Sequence, residues 1–434
     1  MARHRAAATL QPLAPPAACA DIGELTLSNT QSLADAAPNL TPPPGNPRFP
    51  LFDSLRAIAA LLVFLGHTVT YTFSFTTHSN LFLLAVQFSY QGVAIFFLIS
   101  GFLLYRPFLV ARQRGRPYSI PTFGRRRILR IVPAYWVALS IFLLLGFVTG
   151  ISPHNWWIFY GFGQTYDAGT ISQGIGVAWT LCIEVTFYAA LPLLAWAASR
   201  LGRDRSSVAG DVVLLVGLSA ASLAFRAHFH SFADFPEVST LAGTFTWFAL
   251  GMGLAVLSVR DAGQGGGSSL GRFVTRRPTE LWALAIGGFV LFYFLLRGPP
   301  TVLAALTEHL LYGVVALLVL LPGIFGERPR GLPTRILRLR VLAWIGLTSY
   351  SFYLYHTIVL AQLNTLVSDL HGLPRYLFVL VFGVALSCAC AGISYYVVER
   401  PMLRLGRPRA RSTSKGTPGG DTPSPEAPAA SQKA

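Results

Sequence analysis

The sequence predicts an all-α polytopic membrane protein with about ten transmembrane helices. Three observations carry this prediction. Of the 434 residues, 53% are hydrophobic and only 12% are charged, whereas soluble domains carry about 25% charged residues. The mean hydropathy is +0.52. Apolar runs long enough to cross a hydrocarbon core of ~30 Å recur along the chain, separated by short polar clusters.

Ten segments meet the length requirement. In chain order they cover residues 52–73, 83–105, 131–150, 177–198, 210–227, 238–258, 280–296, 302–324, 341–362 and 376–398. Cytoplasmic loops are enriched in Lys and Arg, and this rule sets the orientation. If both termini are inside, only Arg226, Arg297 and Arg375 of the 34 Lys and Arg fall in external loops. We therefore expect cytoplasmic N- and C-termini and a multi-pass protein of the cell (cytoplasmic) membrane.

The sequences outside the spans predict tails and no further domain. Residues 1–50 are rich in Ala and Pro, and residues 406–434 are rich in Pro, Ser, Ala and Gly. Such compositions predict disordered cytoplasmic tails on either side of one membrane domain, residues 51–405. The net charge of +16 is concentrated between apolar runs, so we expect a lipid bilayer and not nucleic acid as the partner. Four cysteines without CxxC spacing predict no metal site.

The predicted loop after the second span is strongly basic. It contains Arg112, Arg114, Arg116, Arg125, Arg126, Arg127 and Arg130. It ends near Pro133, which we expect to open the third helix. Guanidinium groups bind phosphate well, but such clusters also set topology and contact lipid head groups. Both interpretations remain open. Farther along, residues 154–169 are aromatic, lack Lys and Arg, and are too short to span, so we expect them at the outer interface or re-entering.

Arg56 and His67 form an ionisable pair within the first predicted span. Only apolar residues and one glycine separate them. Eleven residues make about three helical turns, which places both side chains on one face about 16 Å apart along the axis. Ionisable groups in a span usually face a bundle interior or a polar cavity. The pair therefore predicts a functional site; the alternative is a packed histidine and an arginine that snorkels to the head groups.

Ser100 and Glu184 are further candidates on two other spans. Ser100 lies toward the cytoplasmic end of the second span, at a depth comparable with Arg56. Its alternative role is close helix packing through small residues. Glu184 lies in the fourth span, at about the depth of His67, where a carboxylate would orient an imidazole that acts as a general base. A structural carboxylate between helices is the alternative.

The ninth span contributes several polar groups to an otherwise apolar helix. These are Ser349, Tyr350, Tyr353 and His356. His356 falls at nearly the depth of His67, so it either lines a cavity or is a satisfied packing residue. We expect these groups to contribute to one intramembrane site.

Six strings of residues carry a resemblance to a known family. They are FDSLRAIAALLVFLGH, FFLISGFLL, RRRILRIVPAYW, AWTLCIEVTFY, IGLTSYSFYLYH and YYVVERP, in this order over about residues 50–405. With them the chain resembles the acyltransferase 3 family of integral membrane O-acyltransferases. The resemblance implies a ten-span domain that takes an acyl group, usually acetyl, from cytoplasmic acyl-CoA. It further implies esterification of a hydroxyl on a carbohydrate or glycosylated acceptor, such as an envelope polysaccharide, a glycolipid or a glycosylated metabolite. No tightly bound cofactor is implied.

The resemblance also implies roles for individual residues. In the family, the positions of Arg56 and His67 are considered essential, and those of Ser100 and Glu184 belong to recurrent motifs. The implied catalytic residues are His67 and Glu184; those binding acyl-CoA are Arg56, Ser100, Arg126 and Arg127; those binding the acceptor are Trp179, Tyr350 and His356. His67 would act as a general base or carry the acyl group transiently. Two departures are Ser54, where glycine is common, and Val185, where a second Glu often follows.

Two other classes of protein also explain ten spans. A transporter or flippase for a polar or lipid-linked substrate would use the same buried polar residues as a pathway, although such proteins often contain inverted repeats and interrupted helices. A non-catalytic scaffold leaves Arg56, His67, Glu184 and His356 unexplained. CoA-dependent product formation separates the enzyme from both. The acceptor, the acyl chain length and the oligomeric state stay open.

Overall fold

Helices make up every regular element in the described residues of the computed structural model. The description covers residues 49, 51–73, 80–202, 204, 208–231, 234–263, 268–295, 301–325 and 331–406. Residues from Leu51 onward belong to one compact unit. The predicted tails, 1–50 and 406–434, lie almost wholly outside the described residues, so their disorder and the domain boundaries stay predictions.

One long helix overlaps each of the ten predicted spans. These are α1 (Phe52–Thr72), α2 (Asn80–Gln113), α3 (Ile120–Leu144), α4 (Trp179–Leu201), α5 (Ala209–His228), α6 (Leu241–Gly263), α7 (Pro278–Leu295), α8 (Val302–Phe325), α9 (Ser349–Leu366) and α10 (Gly372–Ser394). In the described part of the chain, eight helical segments are long and apolar enough to cross a membrane. They contain all of these helices except α7, whose apolar stretch is shorter, and α9. The prediction of an all-α polytopic membrane protein is confirmed, while the sidedness of the termini stays a prediction.

Five of the seven arginines predicted to lie in the loop after the second span lie on helices, namely Arg112, Arg125, Arg126, Arg127 and Arg130, whereas Arg114 and Arg116 lie in the short connection between α2 and α3. Helix α2 continues to Gln113, and α3 already begins at Ile120, eleven residues before the predicted span. The Ser119 hydroxyl caps α3 by accepting from the Thr122 amide, and a proline follows in the first turn. Arginine is a good helix former, so the helix extends beyond the apolar run. Pro133 consequently lies inside α3 and does not open it.

The predicted ninth span is interrupted. A short helix, Arg340–Leu347, ends at Thr348, and α9 starts at the next residue. The Thr348 hydroxyl donates to the Trp344 carbonyl at 3.1 Å, in addition to the backbone bond from the Thr348 amide to the same carbonyl, and such side-chain bonds often bend a helix. The break accompanies a close helix contact, because a Cβ on Gly346 would lie 1.6 Å from the Asp53 carbonyl oxygen of α1.

Helices α1, α2 and α6 form the centre of the bundle. In their apolar windows 56%, 67% and 78% of residues are buried, against 22% for α5. Small residues allow α2 and α6 to approach closely: a Cβ on Gly101 would lie 2.3 Å from the Phe248 carbonyl oxygen, and one on Gly251 would lie 2.1 Å from that of Leu98. Membrane helices pack through small residues in this way. The central position of α1 and α2 places Arg56, His67 and Ser100 in the interior.

The outer helices present apolar side chains outward. Exposed residues include Val212, Val213 and Val216 on α5, and Val381 and Phe382 on α10. Contiguous apolar surface of this kind is unfavourable in water and natural against lipid. The protein is therefore a multi-pass membrane protein.

Candidate active site

A polar cavity lies among α1, α2, α3, α4 and α9. The empty space between its walls totals about 730 Å³, including the part that is open to solvent. The polar residues in its walls are Arg56, Ser100, Arg127, Arg130, Thr180, Glu184, Tyr188, Ser349, Tyr350 and Tyr353. We call this space the arginine cavity.

The three arginines of the cavity differ in their partners. Arg56 is paired with Asp53, one helical turn earlier, at 3.4 Å. In the described residues, no carboxylate lies within ion-pair distance of Arg127 or Arg130. The Arg127 guanidinium instead lies over the Tyr188 ring, 5.8 Å from its centre. The cavity thus offers two guanidinium groups to an incoming anion.

Glu184 is held by Ser100 and not by His67. The Ser100 hydroxyl donates to Glu184 Oε1 at 2.5 Å. The expectation that Glu184 orients His67 is therefore not met, because the carboxylate faces the arginine cavity while His67 contacts a different helix. Glu184 lies electrostatically near Arg56 and Arg127, so it balances positive charge in the cavity walls.

His67 is paired with His356. Nδ1 of His67 lies 3.1 Å from Nε2 of His356, and the ring centres are 5.1 Å apart. Nδ1 of His356 lies 2.8 Å from the Tyr353 carbonyl oxygen. His356 is only 1% exposed, and the Phe352 ring stacks on it at 6.1 Å. The pair forms a chain of hydrogen bonds from the α9 backbone to the α1 imidazole.

The donor and the acceptor of each hydrogen bond in this series follow from the chemistry of the atoms. A carbonyl oxygen only accepts, so Nδ1 of His356 carries a proton and donates to Tyr353. In a neutral ring, Nε2 of His356 is then the acceptor, and Nδ1 of His67 must donate to it. With both rings neutral, the lone pair of His67 is on Nε2. His67 is thereby set up as a base or nucleophile through that atom.

One tyrosine connects the histidine pair with the cavity. Tyr353 lines the arginine cavity, and its ring centre lies 5.5 Å from that of His356. Its hydroxyl is fixed by a hydrogen bond from Thr180 at 2.9 Å. His67 and His356 are not part of the cavity wall, so the Tyr353 side chain lies between the cavity and the histidine pair.

Of the other predicted site residues, Tyr350 lines the arginine cavity, whereas Arg126 and Trp179 do not. The Tyr350 hydroxyl donates to the Ile131 carbonyl at 2.7 Å. The Arg126 stem instead passes near Gly406. Arg130, which sequence reasoning gave no individual role, does line the cavity. Helical spacing indicates Arg130, because residues three apart on a helix are neighbours, although the same rule does not exclude Arg126, four residues before Arg130.

Glu399 is a second residue that sequence reasoning left without a role. It is 2% exposed and accepts a hydrogen bond from Ser351, and the Arg130 charge acts on it. Glu399 closes a single π-helical segment, Tyr395–Glu399, a feature that often marks functional sites. It lies within the string YYVVERP, which was the available signal. Glu399 therefore places a carboxyl group within electrostatic range of Arg130.

Two findings concern metal and thiol chemistry in the part of the chain that the structure describes. No group of three or more His, Cys, Asp or Glu side chains is arranged to hold a metal ion there. Cys182, Cys388 and Cys390 are free cysteines.

The comparison with protein families decides the class of the chain. A family model described as an acyltransferase domain, acyltransferase 3, matches residues 50–392. The chain belongs to the acyltransferase 3 family. The match covers α1 to nearly the end of α10, so the arginine cavity and the histidine pair both lie inside the domain of this acyltransferase.

Curated relatives of the acyltransferase are bacterial proteins. It is 27% identical over 381 residues to nodulation protein 10 of Rhizobium leguminosarum bv. viciae. This match covers 82% of this chain and 93% of that protein. It is 28% identical over 330 residues to the exopolysaccharide production protein ExoZ of Rhizobium meliloti, covering 73% and 90%. It is 22% identical over 376 residues to the peptidoglycan O-acetyltransferase OatA of Listeria monocytogenes, covering 82% of this chain and 56% of that protein. No solved structure matches the chain significantly.

Proposed function

We propose that this acyltransferase is a membrane O-acyltransferase that moves an acyl group, acetyl in the first instance, from acyl-CoA to a hydroxyl of a carbohydrate-containing acceptor. The observation that carries the proposal is a cavity with two guanidinium groups that form no ion pair within the described residues, beside a buried histidine pair, in a chain of the acyltransferase 3 family. The names of the relatives support the acceptor class, since they mention O-acetylation of peptidoglycan and production of exopolysaccharide.

The arginine cavity is the proposed site of the donor. The phosphate groups of CoA are anionic, and Arg127 and Arg130 are free to form charge-assisted hydrogen bonds with them. We place the donor entrance on the cytoplasmic side, because the predicted topology puts the basic segment before α3 there. The protein would thus lie in the cytoplasmic membrane.

His67 is the proposed catalytic residue. Nε2 of His67 removes the proton of the acceptor hydroxyl as the oxygen attacks the thioester carbonyl. The new C–O bond forms, the C–S bond breaks, and the proton is returned to the CoA thiolate. If His67 itself attacks first, an Nε2–acyl bond forms as the C–S bond breaks and the CoA thiolate leaves; the acceptor oxygen then attacks the acyl carbon, the C–N bond breaks, and the hydroxyl proton passes to the thiolate. In both routes the thioester reaches His67 past the Tyr353 ring.

Glu184 and Ser100 have a supporting role in this scheme. Their hydrogen bond at 2.5 Å fixes one carboxylate among the cavity arginines. The negative charge of a fixed carboxylate offsets the mutual repulsion of the guanidinium groups before the donor binds. This replaces the role as partner of His67 that the sequence suggested for Glu184.

The test uses the full chain in proteoliposomes supplied with isotopically labelled acetyl-CoA and a soluble oligosaccharide acceptor. We expect release of the free CoA thiol, together with a labelled ester detected by mass spectrometry. His67→Ala should lower the rate at least about 100-fold, in line with the loss of a positioned acid–base group. His371→Ala, an exposed histidine before α10, is the matched control and should keep the wild-type rate.

Two results would count against the proposal. Full activity of the His67→Ala protein would remove the catalytic assignment. Movement of the sugar across the membrane without any consumption of acetyl-CoA would favour a transporter or flippase.

A further inference from the structure

A second group of aromatic and charged residues lies outside the arginine cavity. Its members come from four helices: Tyr90 on α2, Trp179 on α4, Arg226 on α5, and Glu308 and Tyr312 on α8. None of them lines the arginine cavity. We call these five residues the aromatic cluster.

The rings of the cluster form a continuous series. Tyr90 and Tyr312 stack with their centres 6.0 Å apart and their planes 16° from parallel. Tyr90 and Trp179 lie 6.4 Å apart, and Trp179 meets the edge of Phe235 at 5.6 Å. Large planar side chains combine an apolar face with a polar tip. They therefore suit a ligand that has both apolar C–H faces and hydroxyl groups.

Two opposite charges accompany the rings. Glu308 Oε1 accepts a hydrogen bond from the Tyr312 hydroxyl at 3.0 Å, and Arg226 donates to the Gly243 carbonyl at 3.2 Å. Arg226 and Glu308 act on each other electrostatically, but within the described residues they do not meet in a direct ion pair. Half-buried opposite charges that remain apart leave hydrogen-bonding capacity for a molecule between them.

Unmatched polar atoms are concentrated around the same place. Among the residues that the structure describes, no hydrogen-bond partner is present for Oε1 of Gln87 and of Gln91, Nε of Arg226, or either ring nitrogen of His309. The Gln91 amide donates to the Tyr312 carbonyl, Gln87 lies one helical turn before Gln91, and His309 follows Glu308 in the chain. Leaving a buried polar group unmatched costs about 1–3 kcal/mol. A ligand with several hydroxyl groups, which both donate and accept, would satisfy them.

The cluster also lies next to the reactive centre. Trp179 immediately precedes Thr180, which lines the arginine cavity and donates to the Tyr353 hydroxyl. On α2, Tyr90 follows Ser89, whose backbone and side chain pack against Gly66, the neighbour of His67. A ligand on the aromatic cluster would therefore be close to the histidine pair without competing for the arginines.

We infer that the aromatic cluster is the binding site for the sugar part of the acceptor, with Tyr90 and Trp179 stacking on its C–H faces and Arg226 and Glu308 bonding its hydroxyls. The inference rests on the proposed O-acyltransfer. It adds a second site, separate from that of the anionic donor, and assigns Trp179 to the acceptor by its position in the fold.

The test measures binding of each ligand separately to the full chain in lipid nanodiscs. N,N′-diacetylchitobiose and cellobiose serve as sugar probes, followed by saturation-transfer NMR, and CoA is titrated by calorimetry. We expect Glu308→Gln and Tyr90→Leu to weaken sugar binding at least tenfold and to change the Kd for CoA less than twofold. Asp369→Asn, an exposed carboxylate between α9 and α10, is the matched control and should leave both unchanged.

The outcomes distinguish the two proposals. Unaltered sugar binding in both variants, or wild-type protein that binds neither sugar, would overturn the acceptor site. Preserved CoA binding in each variant shows that the protein is folded, so a loss of sugar binding is then specific. Sugar binding that depends on Glu308 but never leads to acyl transfer would leave the acceptor site standing and count against the proposed function.

Discussion

Replacing His356 is the sharpest probe of the hydrogen-bond chain that defines the reactive nitrogen of His67. In His356→Leu, Nδ1 of His67 loses its acceptor at 3.1 Å, and the proton is no longer fixed on that atom. The Leu side chain is apolar and fits the surroundings of Phe64 and Phe352, so the site should stay folded. The loss should therefore appear in catalysis and not in expression.

The magnitude follows from the cost of an unmatched buried N–H. That cost is about 1–3 kcal/mol, and each 1.36 kcal/mol in a barrier is a factor of ten in rate. We expect kcat of His356→Leu to fall roughly 5- to 150-fold, whereas KM for acetyl-CoA should change little because His356 does not line the arginine cavity. The assay is release of the CoA thiol by the full chain in proteoliposomes, as a function of acetyl-CoA concentration and of pH.

A conservative variant separates positioning from packing. In His356→Gln the amide oxygen can accept from His67 and the amide nitrogen can donate to the Tyr353 carbonyl. We expect His356→Gln to recover most of the lost kcat and to restore the shape of the pH profile. Equal loss of activity in the Leu and Gln variants, or wild-type kcat in His356→Leu, would refute the tautomer argument.

Three further predictions address the cavity and the packing of the bundle. Arg127→Gln should raise the Kd for CoA about tenfold or more, since a charge-assisted bond contributes about 1.5–3 kcal/mol. The control, Arg126→Gln, should change this Kd little. Equal effects of the two substitutions in calorimetry would contradict the assignment of Arg127 to the cavity. Ser100→Ala removes the donor to Glu184 and should lower kcat severalfold through the altered charge balance, and wild-type kinetics would argue against that role. Gly101→Val forces a Cβ against a carbonyl of α6 and should lower the melting temperature in a fluorescence-detected size-exclusion assay, while an unchanged value would show that this contact tolerates bulk.

Much of the architecture could be predicted because the bilayer imposes it. Length and hydropathy found a helix in every predicted span, and the spacing of Arg56 and His67 placed both in the interior of the bundle. The predicted boundaries were wrong where a helix extends beyond its apolar run or breaks within one. Helix α3 begins eleven residues before its apolar run, where Ser119 caps it, and the ninth span breaks at Thr348, next to the close approach of Gly346 to Asp53 on α1. A hydropathy window detects neither effect.

The sequence indicated which residues are candidates for the site, but not which of their side chains form hydrogen bonds with each other. Depth in the membrane correctly placed His356 near His67, yet it equally suggested Glu184 for the same position. Depth gives only one coordinate, whereas a hydrogen bond depends also on which faces of the helices meet. Arg130 was within reach of sequence reasoning through its spacing from Arg127. Glu399 lies within the string YYVVERP, which marks its neighbourhood, but its burial depends on a π-helical turn that the residue pattern does not reveal.

Mass spectrometry of envelope glycans, lipids and secreted metabolites tests the central claim most directly. Cells expressing the intact protein are compared with cells expressing His67→Ala and with cells expressing neither. The account predicts a mass increment of one acyl group in a carbohydrate-containing fraction, present only with the intact protein. The same increment with the His67→Ala protein, or no increment in any fraction while the intact protein is present in the membrane, would contradict it.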